Sequence, residues 1–415
     1  MRPPVPRLGF VFRSLASPNY RRYFVGNGIS LIGTWMQRMA MSWLVYKLTG
    51  SAILLGVIDF SSQFSAFLLM PIAGVLLDSF DLRKSLLITQ SLGLVQALLL
   101  WLMTATGTVN FGNLVLVSVF LGMINAFDMP GRQAFTYHLI DKKEDLVNAI
   151  ALNSSLFNSA RLIGPPVAGL LVAALGEEVC FFVNALSFVP IVFILWSLKI
   201  NVQRVKRRKP PFWEGLTTGL RYAFHNTLIA PILGLCSLSS FIGMSYIVLL
   251  PVFARDVLGG GPQTLGFLMG ANGLGALIGA LYLASRKDLS RLDRMVPTAF
   301  GLLGIGVVMF ARVKGTSLAM LLMIFNGFWM ITGWSASNTL LQTEVEEDKR
   351  ARVMSLYTMS FMGMAPLGSL LQGYFSQKWG IINSLTLSGT LCFAASAIFY
   401  LIRFGTANKT EWPSH

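Results

Sequence analysis

Charge is scarce in this chain. Asp, Glu, Lys and Arg make up only 12% of its 415 residues, against 54% hydrophobic ones. Soluble domains carry about 25% charged residues, so a large soluble protein is excluded. Histidine is scarcer still: His138, His225 and His415 are the only three, and no two stand at a metal-ligand spacing. No metal centre is expected. Cys180, Cys236 and Cys392 fall in apolar stretches without any pattern and read as small buried hydrophobes, not as disulfide or metal partners. The chain has no nucleotide-binding glycine loop joined to a soluble domain, and no Ser, His and Asp set near a membrane face. Neither catalytic residues nor a cofactor are expected.

Long apolar runs take the place of what is missing, and the mean hydropathy is +0.63. Residues 114–127, 181–198 and 385–402 carry no charged side chain at all. A helix needs roughly 20 mostly apolar residues to cross a hydrocarbon core of about 30 Å, and few other folds satisfy their backbone polar groups there. About twelve such stretches recur, six on each side of one basic interruption at 199–209. The pattern predicts an all-α integral membrane protein with twelve transmembrane helices in two six-helix bundles. The expected layout is an N-terminal arm at 1–22, a bundle at 23–198, a basic linker at 199–227, a second bundle at 228–402 and a tail at 403–415. Individual spans are expected at 23–46, 52–77, 228–253 and 353–376, among others. The first carries Arg38 near its middle and no small-residue cleavage site follows, so it reads as a retained span and not a signal peptide. An apolar repeat near helical spacing at 212–224 predicts an amphipathic helix on the membrane face.

The net charge of +15 is a topology signal more than a nucleic-acid one. Lys and Arg collect in alternate loops, including Arg83, Lys84, Lys142, Lys143 and the 199–209 cluster, while the other loops hold few beyond Lys47, Arg255, Lys314 and Lys378. Short basic loops stay in the cytoplasm. Both termini are therefore expected there, in a multi-pass protein of the inner (plasma) membrane. Its expected partners are a small-molecule substrate and membrane lipids, with no nucleic acid, and the expected functional unit is a monomer.

The two halves are related. Gln133 to Gly169 corresponds to Gln342 to Gly373: each runs from a short polar loop into a helix rich in Ser, Gly and Pro. Internal repeats of whole bundles mark secondary transporters, whose substrate lies between the halves near mid-membrane.

The loop after the second span reads Gly74-Val-Leu-Leu-Asp78-Ser79-Phe80-Asp81-Leu82-Arg83-Lys84. It resembles the signature loop of the major facilitator superfamily in position, Gly-to-Asp spacing and paired basic residues. Ser79 and Leu82 replace basic residues of that signature, and Asp81 stands where Gly is usual. The segments Asp128-Met-Pro130-Gly-Arg132, Ala160-Arg161-Leu-Ile-Gly164-Pro165-Pro166 and Met364-Ala-Pro366-Leu-Gly368 agree. They point to the branch of small-molecule exporters that includes enterobactin exporters and macrolide efflux proteins. The resemblance implies the major facilitator fold with pseudo-symmetric bundles. It also implies a cytoplasmic gate in which Arg83 and Lys84 bridge to Asp128, with Gly74, Asp78, Asp81 and Arg132 around them. A purely topogenic role for Arg83 and Lys84 is the alternative. Gly74 is expected to let the second span approach its neighbour, and Asp78 to accept hydrogen bonds at a helix end. Gly164, Pro165, Pro166 and Gly169, with Pro366 as counterpart, are expected as a hinge or a packing kink.

Charges inside the membrane cost about 2.5 kcal/mol or more and are functional candidates by default. At 1.5 Å per residue, Arg38, Asp59 and Arg161 fall in one layer of the outer half of the bilayer. They are the proton-coupling candidates, with Asp59 beside Arg38 or Arg161. A permanent ion pair joining spans 1, 2 and 5, or snorkelling to the outer headgroups, are the other readings. The cavity of this family is lined by spans 1, 4, 7 and 10, which offer Asn27, Trp35, Gln37, Asn125, Tyr246, Asn326, Trp329 and Trp334, with Gln63 nearby on span 2. These suit an amphipathic compound. The expected function is export of a drug, siderophore or secondary metabolite by proton antiport, with the proton gradient as the driving force. A lysophospholipid or other lipid-like substrate is the alternative, and a polytopic membrane enzyme or sensor the less favoured one.

Overall fold

A computed structural model describes residues 12–198, 220–226, 228–286 and 291–405. The first half builds helices α1 (Pro18–Thr49), α2 (Ala52–Ser79), α3 (Leu82–Ala105), α4 (Phe111–Leu139), α5 (Leu146–Leu175) and α6 (Glu177–Ser197). The second builds the span α7 (Ile229–Val257), then α8 (Pro262–Ser285), α9 (Leu292–Arg312), α10 (Thr316–Glu344), α11a (Glu347–Met362), α11b (Met364–Trp379) and α12 (Ile381–Tyr400). Ten of these are long and apolar enough to cross a bilayer by length and composition alone. The other two crossings are α1, which carries Arg21, Arg22, Arg38 and Lys47, and the α11a–α11b pair, which is interrupted. The twelve crossings are those of the apolar pattern. The basic linker and most of the expected amphipathic helix lie outside the described residues; within it, 220–225 are helical.

The repeat is visible in the turns. Single glycines with positive φ join α5 to α6 (Gly176, φ 94°) and α11b to α12 (Gly380, φ 81°). A side chain is strained in that conformation, so a one-residue turn between antiparallel spans calls for Gly at both places.

Two of the spans expected as single helices are broken. In α7, α-helix ends at Leu238 and is followed by a π-helical turn (Ser239–Gly243) and a 3₁₀ segment (Ser245–Leu249). In span 11, Gly363 separates α11a from α11b. Proline accounts for the span 11 break and for the 3₁₀ segment of α7, because its ring excludes the carbonyl four residues earlier; the π-helical turn at Ser239–Gly243 lies before its reach. Pro251 acts on Ile247 and Pro366 on Met362. The two breaks touch: Ser240 Oγ donates to the Phe361 carbonyl at 2.8 Å, and Ser245 Oγ caps the Phe241 carbonyl at 2.8 Å. The expected hinge on α5 is different. Pro165 and Pro166 sit inside an unbroken 30-residue helix.

Packing divides the described chain into two compact units, one from Met1–Leu44 with Ser65–Arg208, the other from Val45–Phe64 with Lys209–His415. The tip of the α1–α2 hairpin therefore packs with the second half of the sequence. A Cβ on Gly56 would lie 2.5 Å from the Ser369 carbonyl, and one on Gly373 2.6 Å from the Ala52 carbonyl, so α2 and α11b meet backbone to backbone. Small residues permit such approach where lipid offers no hydrophobic drive. Within the first unit α3 packs on α4 and α6; within the second, α8 packs on α10, and α9 on α10 and α12. The α9–α12 crossing is a Gly304–Gly389 contact with each Cβ position 2.5 Å from the other carbonyl.

Candidate functional site

Asp128 on α4 is 5% exposed, and a carboxylate so buried must be fully satisfied. Arg132, one turn on along α4, pairs with it, with Nε 2.5 Å from Oδ2. Thr89 Oγ1 donates to Oδ1 at 2.9 Å, and Gln90 Nε2 donates to the same oxygen. Arg132 also donates to Asn27 Oδ1 on α1. The network ties α1, α3 and α4 together within the first unit.

The bridge expected from Arg83 to Asp128 does not form. Arg83 Nη1 donates to the Leu198 carbonyl and Nη2 to the Trp196 carbonyl at 3.4 Å, at the C-terminal end of α6. Carbonyls there have no intrahelical partner and carry the negative end of the helix dipole, which attracts a guanidinium. Lys84 is exposed. Gly74 is not a contact point either: among the described residues nothing lies within 4 Å of a Cβ placed on it. The side chain of Asp78 lies outside the described residues. The helix-capping role belongs to Asp81, whose Oδ1 accepts from the amides of Arg83 (2.9 Å) and Lys84 (3.2 Å) at the start of α3. That gives a physical reason for an acid where the family pattern has Gly. Asp81→Ala is expected to cost about 1 kcal/mol and Asp81→Gly only a few tenths, read as thermal unfolding in detergent. Equal losses for the two would show that the cap does not act.

Asp59 on α2 is half-buried, and its Oδ2 accepts from Gln63 Nε2 (2.5 Å) and from Ser369 Oγ on α11b (2.6 Å). Around this carboxylate the hairpin tip is held by further polar links. Tyr46 donates to Asp256, the Arg255 guanidinium lies 5.6 Å from the Tyr46 ring centre, and Gln377 Oε1 accepts from the Ala52 amide at 3.1 Å.

Arg38 and Arg161 share one indole: their guanidinium carbons lie 5.3 and 5.7 Å from the Trp35 ring centre. Gly164 brings α5 up to α1, since a Cβ on it would sit 2.7 Å from the Trp35 Cβ. Gly169 is buried on the same helix, and Pro366 is buried on α11b.

The expected cavity residues separate into two groups. Asn27, Gln37, Tyr246, Asn326 and Trp334 are buried among helices. Gln37 bonds Gln96 and Asn184, Tyr246 accepts from Asn272, and Asn27 serves Arg132. Trp35, Gln63, Asn125 and Trp329 keep partial exposure. Sequence reasoning gave no role to Gln90, Tyr46, Asp256, Phe157 or Ser369; Phe157 and Ser369 lie within the two repeat segments, and the other three lie in no motif. Among the described residues no group of His, Cys, Asp and Glu is placed to hold a metal.

The sequence matches known transporters over most of its length. It is 25% identical to the staphyloferrin A transporter of Staphylococcus aureus, covering 95% of this chain and 99% of that one. It is 24% identical to macrolide efflux protein A of Streptococcus pyogenes (91% and 94%) and 23% identical to the enterobactin exporter EntS of Shigella boydii (90% and 88%). The fold is that of the nucleoside transporter NupG, with a TM-score of 0.71 at 13% identity over 93% of this chain and 99% of that one. A bacterial homologue of the human lysosomal transporter Spinster gives 0.71 at 13% identity (96% and 99%). The transmembrane secretion effector family matches residues 11–415. The chain is a multi-pass membrane protein and belongs to that family, within the major facilitator superfamily.

Proposed function

We propose that the protein exports a small amphipathic compound across the plasma membrane by proton antiport, its central site alternating between the two faces and both termini lying in the cytoplasm. The observation that carries this reading is Asp59: a carboxylate within a span, holding α2 to α11b through Ser369, in a chain whose full-length relatives include efflux proteins. Inside a span a carboxylate is costly and marks an ion or proton path. Ionised, Asp59 accepts two hydrogen bonds and ties the hairpin tip to α11b. Protonated, it loses its charge and becomes a poorer acceptor, so that tie loosens. A proton arriving from outside then favours opening and substrate release, and its departure inside resets the carrier.

The test is flux from proteoliposomes loaded with a panel of macrolides, catechols and hydroxycarboxylates. An imposed pH gradient is expected to drive movement of at least one compound, and a protonophore to stop it. Flux that ignores the pH gradient and follows a sodium gradient would replace the proton as the coupling ion. No driven flux of any compound would remove the export reading.

A further inference from the structure

The geometry points to a built site for one hydrocarbon chain of a bilayer phospholipid, in the groove between α1 and α6. The site lies wholly within the first unit and is independent of what the protein carries. Two separate faces of α1 are partly open. Leu31, Trp35, Arg38 and Ser42 make up one, where Phe157 meets the Trp35 ring edge-on at 5.7 Å. Val25, Ile29 and Ile32 make up the other, roughly 120° further round at 3.6 residues per turn. Arg22 and Trp43 bound that second face about 32 Å apart, which suits interfacial anchors on either side of a hydrocarbon core of about 30 Å. On α6, Phe182, Leu186, Val189, Phe193 and Trp196 are exposed at the same three-to-four spacing. Both helices thus turn an apolar stripe to lipid, and the groove runs between the stripes.

Gly33 creates the groove. A Cβ there would collide with the Ser187 hydroxyl and stand 2.6 Å from Asn184 Oδ1, so α1 and α6 meet closely at this point. With no side chain at 33, the larger neighbours rise around a notch. Ile29 and Ile32 wall it from α1, Val183 and Leu186 from α6, and Gly33 and Ser187 floor a cavity of about 310 Å³. That volume stands at the low end of ligand cavities, about 300–1,000 Å³. Among the described residues no charged side chain lines it. The Ser187 proton is spent on the Asn184 carbonyl at 2.7 Å. Water finds too few polar partners to stay in such a space. Leu186, 52% exposed, belongs to both the outward stripe and the groove, so the cavity opens onto hydrocarbon. Lipid offers no hydrophobic drive, and packing sets the preference. A chain lying in the notch is touched on three sides, where a flat helix face touches it on one, and the walls regain their dispersion contacts.

The test is photolabelling of the full chain in liposomes that contain a phosphatidylglycerol with a diazirine near the chain end. Adducts are located by peptide mass spectrometry. Val95 supplies the comparison: it is 44% exposed on α3 and does not line the groove. Arg83 reaches carbonyls at the end of α6, which sets the start of α3 beside that end. Val95 therefore lies about 20 Å from this face and Leu186 about 18 Å, so depth alone labels them alike. Adducts at Ile29, Val183 or Leu186 are expected about fivefold or more above those at Val95, a preference that a handful of extra dispersion contacts supplies. Ile29→Trp and Leu186→Trp each fill the notch from one wall. Each is expected to cut labelling of Val183 about fivefold and to leave Val95 unchanged. Groove labelling no higher than that of Val95 in the unaltered protein would overturn the assignment, whichever variants fold. So would groove labelling that survives both substitutions. A diazirine fatty acid that labels the groove where the phospholipid does not would also overturn it, making the notch a site for a soluble amphiphile.

Discussion

Asp59→Asn is expected to reduce gradient-driven transport by roughly a hundredfold or more, as loss of a proton-transfer group does, while leaving the protein folded. Asn matches Asp in size and keeps one oxygen that accepts from Ser369 Oγ. Its amide nitrogen can donate to the Gln63 oxygen after that side chain flips, so the polar contacts of α2 and α11b survive. What it loses is the charge and the exchangeable proton. Coupled flux in proteoliposomes should therefore collapse, while exchange of labelled for unlabelled substrate without a gradient persists. Ser369→Ala separates the two parts of the proposal, because it removes one tie but keeps the titrating group. Coupling is expected to survive it, with a turnover changed only severalfold, in line with the roughly 1 kcal/mol of a single hydrogen bond. If Asp59→Asn leaves coupled flux untouched, the proton path runs elsewhere. If it abolishes exchange as well, Asp59 is structural.

The spans were legible because hydrocarbon imposes a length and an apolar composition that any sequence displays. The partner of Asp128 was within reach of the same reasoning: Arg132 lies four residues on, in the same motif, and helical geometry alone puts the two together. Arg83 was not. Its acceptors are carbonyls at the end of α6, more than a hundred residues away, and backbone groups leave no mark in a sequence. Asp81 stood out as a departure from the family pattern, but its use depended on where α3 begins, which the boundary of an apolar run does not fix. The break in span 11 was half visible. Pro366 was there to see, and the interruption appears at Gly363, just after Met362, whose carbonyl Pro366 leaves without a donor. Least legible was the company kept by the hairpin tip. Depth put Asp59 in one layer with Arg38 and Arg161, but it gave no sign that Gln63 and Ser369 would donate to the carboxylate, the second of them where Gly56 and Gly373 let α2 lie directly on α11b. Depth arguments give a layer in the membrane; they do not give an azimuth around the bundle.

The buried ion pair sets up the largest expected loss of stability. Arg132→Ala leaves Asp128, 5% exposed, with a negative charge answered only by Thr89 and Gln90, and strips Asn27 of its donor. Breaking one side of a buried pair costs about 3–5 kcal/mol, mostly because the remaining charge is stranded. Arg132→Lys keeps the charge but has one ammonium where the guanidinium reaches both Asp128 and Asn27, so it should fall between. The informative comparison is the double replacement Asp128→Asn, Arg132→Gln, which removes both charges and leaves amides that can bond each other and Gln90. It should be more stable than Arg132→Ala alone even though it alters more atoms, a coupling that only a shared charge produces. Thermal inactivation rates in detergent would order the three variants. Were the double replacement the worst of them, the network would be held by shape and hydrogen-bond geometry and not by the need to neutralise Asp128.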